Sequence, residues 1–298
     1  MSQAHQDPVK LVAGALSVTL APEAGGGIAR FERAGVPIFR PASAQALAEQ
    51  NPRGMGCFPM VPFSGRVSLA RFAWGEEMFA LRPNFPGEPH AIHGDAWQAP
   101  WTMVAVGEQV AQMAYDHPGA TAASGVAWPW PYRVEQTIDL TPDCLTLSLA
   151  IENRGKTPMP VGFGFHPYFQ RTHAVTVMAE APEVWIWDAW KRPAARIPTP
   201  QPWRLSPARP VAGLGLDHCF AAWTGQAEIT WPEHGFAVQI TAGAKLRHLV
   251  VFTPDADYFC VEPTSHAPDM LNLDPASLPV LAPGQSVSGG CRFTIHAL

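Results

Sequence analysis

The chain is poor in charge: only 15% of its 298 residues are Asp, Glu, Lys or Arg. Four of the 20 basic residues are Lys, and the 16 Arg are scattered. With a net charge of −5, this leaves no basic footprint for nucleic acid or an anionic membrane. The five cysteines, Cys57, Cys144, Cys219, Cys260 and Cys291, are odd in number, widely spaced and free of any C-x-x-C pair. That pattern excludes a disulfide scaffold and a structural zinc site. No apolar run reaches the ~18 residues of a membrane span. Leu11–Leu20 comes nearest to the apolar core of a leader. However, Asp7 and a lone Lys10 precede it, and Ser17 and Thr19 alternate with its apolar residues as in a strand. A cytoplasmic location is therefore expected. G-x-S-x-G and G-x-x-x-x-G-K-[ST] are absent, and Gly25-Gly-Gly is too short for a dinucleotide fingerprint.

What the chain has in excess is Pro (32) and Gly (25), together 57 residues or about 19%, against a typical ~12%. At 47% hydrophobic it is too apolar for disorder, and it is too rich in Pro for a helix bundle. Alternating runs bounded by turn residues recur. Val9–Ala13 with Leu16–Ala21, Tyr132–Leu140 with Cys144–Glu152, Gln226–Trp231 with Phe236–Thr241, and His248–Thr253 with Asp257–Glu262 all read as hairpins. Ser43–Gln50 is the best short helix, stopped by Asn51-Pro52. The pattern predicts an all-β fold, a large antiparallel β-sandwich formed by residues 1–298 as one domain. Phe58–Asp95 and Asp188–Leu216 lack regular patterning. Long irregular segments in a compact domain are either functional or peripheral.

Two strand ends carry chemistry. In Pro160–Pro167, Val161, Phe163 and Phe165 share one face, while Gly162, Gly164 and His166 share the other. The bare glycine face leaves room for another chain or a ligand. His166 is then either a proton-transfer group at the end of a bare strand or a histidine bonded to a neighbouring loop. In Asp257–Pro263, Glu262 is a lone carboxylate at the end of an apolar strand. Burial would raise its pKa and make it a better base; the alternative is a rim residue paired with an Arg. His90-Ala-Ile-His93 has H-x-x-H spacing, but Pro89 and Gly94 argue against the helix that would bring the rings together, and no metal site is expected. Of the 11 tryptophans, Trp128, Trp130, Trp185 and Trp187 read as core and corner packing. Trp74, Trp97 and Trp101 either pack on a sugar ring or simply cover a loop. Asp217, amid apolar neighbours, either accepts sugar hydroxyls or shapes a turn.

Taken in order, Phe63-Ser-Gly-Arg-Val67, Pro89-His-Ala-Ile-His-Gly94, Trp130-Pro-Tyr-Arg133, Met159–Phe169 (MPVGFGFHPYF), Leu216-Asp-His-Cys-Phe220 and Val261-Glu-Pro-Thr264 resemble the aldose 1-epimerase (galactose mutarotase-like) family. The resemblance implies a supersandwich with a sugar groove on one sheet, His166 as general acid and Glu262 as general base. It also implies that Arg66, His93 and Asp217 contact a small-molecule sugar; proton exchange between one carboxylate and one imidazole needs no cofactor, and monomer and homodimer are both open to such a sandwich. Three positions depart from the family pattern. Gly65 stands where an Asn commonly precedes the Arg, Asp95 replaces a Gly after His-Gly, and Gln170-Arg171 replaces Asn-Leu after HPYF. Other readings are a hexose-6-phosphate 1-epimerase using Arg71 or Arg82, a non-catalytic sugar-binding or regulatory protein, and a glycosidase using Asp217 and Glu262 as its two carboxylates.

Overall fold

The computed structural model describes residues 9–120, 128–190 and 192–298; Asp7 lies outside them. Two large antiparallel sheets face each other. The first has 12 strands among the described residues. From one edge it begins with Lys10–Ala13, Leu16–Ala21, Gly27–Arg33 and Val36–Phe39. It continues through Tyr168–Gln170, Tyr258–Thr264, His248–Phe252 and Asp217–Ala221 to Glu183–Trp187 and Pro193–Pro198. The second has nine strands, centred on Tyr132–Leu140, Cys144–Asn153, Ser286–Ala297 and Phe236–Ala242. This is the β-sandwich that the alternating runs predict.

The alternation has a direct physical reading. Along Leu16–Ala21 and Tyr132–Leu140 every second residue is buried, so each strand turns one apolar face to the opposite sheet. All four expected hairpins form, with register such as Val134↔Ile151 and Ile229↔Val238. The sheets meet through aromatic rings. Phe39 of the first sheet lies edge-on to Phe293 of the second at 5.3 Å, and Phe169 approaches the same ring at 6.2 Å. One continuous apolar cluster includes both faces.

The short helix forms at Ala44–Ala48, capped by Ser43, whose Oγ accepts the Ala46 N–H at 3.0 Å. Asp188–Leu216, which has no strand signature in the sequence, contains Pro193–Pro198 and Leu205–Pro210. Each is the terminal strand of its sheet. A terminal strand needs hydrogen bonds on one side only, which is why proline is tolerated there and why the usual pattern fails.

The glycine face of Pro160–Pro167 is filled by the protein's own chain. A Cβ on Gly162 would sit 2.1 Å from Cδ2 of His266. That imidazole accepts the Ser64 N–H at Nε2 (3.3 Å), which leaves Nδ1 to donate to the Ala267 carbonyl (2.7 Å). Gly162 thus makes space for the ring that fixes the Phe63–Val67 loop. Replacing Gly162 with Ala forces His266 out and strands the Ser64 amide, at a cost of about 2–4 kcal/mol. Urea unfolding should show a lowered midpoint with an unchanged slope; an unchanged midpoint would contradict this packing.

Candidate active site

A cleft of about 710 Å³ opens on the first sheet, and Arg66, His93, His166, Asp217 and Glu262 all line it. These five come from segments almost 200 residues apart in sequence. Glu262 lies within the strand Tyr258–Thr264, which the neighbouring His248–Phe252 and Tyr168–Gln170 hold on either side. His166 lies between Gly164–Phe165 and Tyr168–Gln170, with its N–H on the Phe58 carbonyl at 2.9 Å. Its Nε2 is 3.4 Å from Oε1 of Glu262. Its Nδ1 is buried away from Glu262, so Nε2 is the ring atom that faces the carboxyl.

Rings hold the imidazole in place. It stacks on Tyr168 with centroids 4.6 Å apart, is tilted against Phe58 at 4.7 Å, and meets His93 edge-on at 5.2 Å. Behind Tyr168 sits the Arg40 guanidinium, 4.4 Å from that ring and 4.6 Å from Tyr258. Arg40 is anchored by donating to the carbonyls of Arg53 (2.7 Å) and Met55 (3.1 Å). A cation over two aromatic faces is favourable and fixes both rings.

Burial dominates the electrostatics. It pushes His166 down to about 3, with Arg40 adding to the effect and the residue's own backbone carbonyl opposing it. Burial also pushes the Glu262 carboxyl well above its ordinary range, reinforced by Asp217 and opposed by Arg66. Burial thus favours the neutral form of each group, and the two lie 3.4 Å apart.

The remaining residues surround this pair. Arg66 is clamped by Glu88 through two hydrogen bonds, Nε to Oε2 at 2.8 Å and Nη2 to Oε1 at 3.0 Å. Burial works against its charge, but the Glu88 carboxylate more than offsets this and raises its pKa. His93 accepts the Gly65 N–H at Nδ1 (3.1 Å). Burial, with His166 and Arg66 adding, keeps it well below the ordinary imidazole range. A neutral ring that accepts at Nδ1 carries its proton on Nε2, so His93 is a fixed donor. Asp217 is exposed at the start of Asp217–Ala221, and its carbonyl accepts the Trp187 indole N–H.

Several details differ from the sequence reading. Trp97 and Trp101 are buried, with their N–H groups on backbone carbonyls, and Trp74 packs edge-on against Trp130. None of the three lines the cleft. Trp187, expected as corner packing, does line it, as do Tyr258 and Phe85. Glu88, next to Pro89 in the recognised motif, carries no local signal of its partnership with Arg66. The three departures also have physical counterparts. Gly65 has φ +67°, and a Cβ there would lie 2.7 Å from Cγ of Pro268. Asp95 faces away from the cleft toward the second sheet, accepting the Tyr132 hydroxyl (2.7 Å) and lying 2.6 Å from His117. Gln170 and Arg171 bond the carbonyls of Asp257 and Pro254, tying the strand's end rather than entering the cleft.

His90 and His93 do not converge. His90 accepts the Leu69 N–H and contacts the Trp190 carbonyl, away from the cleft. Among the described residues His166, Cys260 and Glu262 bring donor atoms within 4.8 Å of one another, a spacing a metal could use. A cation there would have to displace the protons that burial favours on the Cys260 thiol and the Glu262 carboxyl.

Residues 9–294 match the family model for aldose 1-epimerase. The protein YphB of Escherichia coli K12, named as uncharacterized, is 32% identical over 284 residues, covering 92% of this chain and 94% of that one. A solved E. coli K12 structure, provisionally described as an aldose 1-epimerase, superposes with a TM-score of 0.89 at 29% identity, covering 98% of this chain and 99% of that chain. Galactose 1-epimerase from Lactobacillus acidophilus NCFM shares the fold at a TM-score of 0.80 and 13% identity, over 100% of this chain and 97% of that one. With the same sandwich and a matching sequence across nearly its full length, the chain belongs to the aldose 1-epimerase family.

Proposed function

We propose that the protein is a mutarotase that interconverts the α and β anomers of a free, uncharged aldose. The observation that carries this reading is the buried His166–Glu262 contact at the floor of an open cleft. Mutarotation removes a proton from the C1 hydroxyl while delivering one to the ring oxygen. A pair holding a single proton has one acceptor and one donor at all times. A sugar-binding module has no need of such a pair.

Glu262 takes the C1 proton and His166 protonates the ring oxygen; the resting proton first passes from Glu262 to Nε2. Sugar hydroxyls donating to the carboxylate, with Arg66 nearby, favour that transfer. The C1–O5 bond breaks, the open aldehyde rotates about C1–C2, and reclosure with the roles reversed gives the other anomer. Arg66, the Nε2–H of His93 and Asp217 hold the hydroxyls. Trp187, fixed through its indole N–H, offers a face to the apolar side of the ring.

The surroundings favour an uncharged substrate. Arg66 is already ion-paired with Glu88, and the acidic Glu49 and Asp217 line the same cleft, as does Arg53. Arg71 lies in a separate cavity with Asp188 and Arg192, and Arg82 sits in a depression beyond Phe85. Neither of these two arginines lines the cleft; Arg53 does, with its guanidinium held over the Phe85 ring, and is the group a phosphate would have to use. The five cysteines are buried free thiols, in keeping with a cytoplasmic location.

The test is polarimetry from pure α-D-galactose, α-D-glucose and glucose 6-phosphate. Wild type should accelerate equilibration of a free sugar, and Glu262→Gln should lose about 10²–10⁴-fold in kcat with its fold intact. An active Glu262→Gln protein would overturn the role of the carboxylate, and a clear preference for the phosphate would overturn the substrate class.

The pH profile follows from the two shifts. Below the lowered His166 value of about 3 the pair gains a second proton and loses its base; above the raised Glu262 value it loses its last proton. Groups at their ordinary values of 6.5 and 4.5 would hold one proton only between those limits. The kcat/KM should therefore stay flat through neutral pH. A fall with an apparent pKa near 6.5 would contradict the shared-proton pair.

A further inference from the structure

We infer that Asn84 is a positioning residue for sugar binding, acting through His93. This rests on the reading of His93 as a sugar contact and identifies what sets its direction. His93 is held in the left-handed region at φ +61°, followed by Gly94 at +74°. That region is uncommon for non-glycine residues, although histidine enters it more readily than most. One side chain supplies three of the bonds that hold it there. Asn84 Oδ1 accepts the Ile92 N–H at 2.7 Å, and its Nδ2 donates to both the Ile92 and Gly94 carbonyls at 2.9 Å. The carboxamide thus brackets His93 from both sides, with all three bonds going to flanking backbone. The Trp97 indole N–H reaches the same two carbonyls at 3.0 and 3.1 Å, so both point inward between two donors.

The consequence reaches the cleft through a reciprocal pair. His93 N–H donates to the Gly65 carbonyl at 2.8 Å, and Gly65 N–H donates back to Nδ1 of His93 at 3.1 Å. That second bond selects the Nε2–H tautomer and ties the His93 loop to the residue preceding Arg66. Only a carboxamide offers this arrangement, and Gln would carry it one methylene further from the backbone. Ala supplies none of the three bonds, and Asp supplies only the acceptor while setting a carboxylate against two carbonyl oxygens.

The experiment is a double-mutant cycle with Asn84→Ala and His93→Ala, read as KM and kcat for the sugar that wild type equilibrates, with thermal melting as a check that each variant is folded. Because His93 binds substrate and transition state alike, Asn84→Ala should raise KM on the order of ten- to a hundredfold with kcat little changed. In the His93→Ala background the same substitution should add nothing further. Independently of activity, long-range ¹H–¹⁵N correlation of the imidazoles should show His93 as a single Nε2–H tautomer in wild type and as a tautomer mixture in folded Asn84→Ala. An unchanged His93 signal, or KM effects that multiply in the double variant, would overturn the inference. Absence of mutarotation in wild type alongside the expected tautomer change would instead count against the catalytic reading while leaving Asn84 as the support of His93.

Discussion

Removal of water from the His166–Glu262 contact is the constraint on which the site depends. In water an imidazole and a carboxylate would settle as an ion pair over a narrow pH interval. In the sandwich, both groups are almost wholly buried, and each is pushed toward its neutral form. On the proposed mechanism, the proton that burial favours on Glu262 is the one passed between the two groups. This arrangement opposes stability. As pH rises above the ordinary carboxylate range, the folded chain must keep a proton that the unfolded chain releases, so the contribution of Glu262 to stability falls with pH.

The rest of the fold keeps that pair largely buried and aligned. The strand Tyr258–Thr264 is interior to its sheet, with Glu262 opposite Val250 on one side and the flanking Cys260 and Thr264 paired on the other. The His166 ring is confined by Phe58, Tyr168 and His93, and Arg40 locks Tyr168 from behind. Gly162 admits His266, which anchors the loop leading to Arg66. Apart from Tyr168, each support is a close contact with a residue far away in sequence. Precision at the pair is therefore a property of the whole sandwich rather than of the HPYF segment alone.

This division explains what could be read from the sequence. The hairpins were legible because period-two alternation is imposed by one buried face. The pair was visible as two polar residues ending otherwise apolar strands, and the resemblance joined them to Arg66, His93 and Asp217. Pro193–Pro198 and Leu205–Pro210 were hidden because terminal strands need no alternation and accept proline. Trp187 reads locally like any strand tryptophan; only the position of its hairpin beside Asp217 turns it toward the cleft. The Glu88 clamp on Arg66 spans 22 residues of irregular chain, which no periodicity can encode. Asp95 and Gly65 look like departures at the site, yet one serves the interface with the second sheet and the other yields space to Pro268.

The most direct test of the shared buried proton is difference infrared spectroscopy at neutral pH between wild type and Glu262→Gln. The account predicts the carbonyl stretch of a protonated carboxyl in wild type that is lost in the variant. Loss of a carboxylate band instead, with no protonated carboxyl signal, would contradict it.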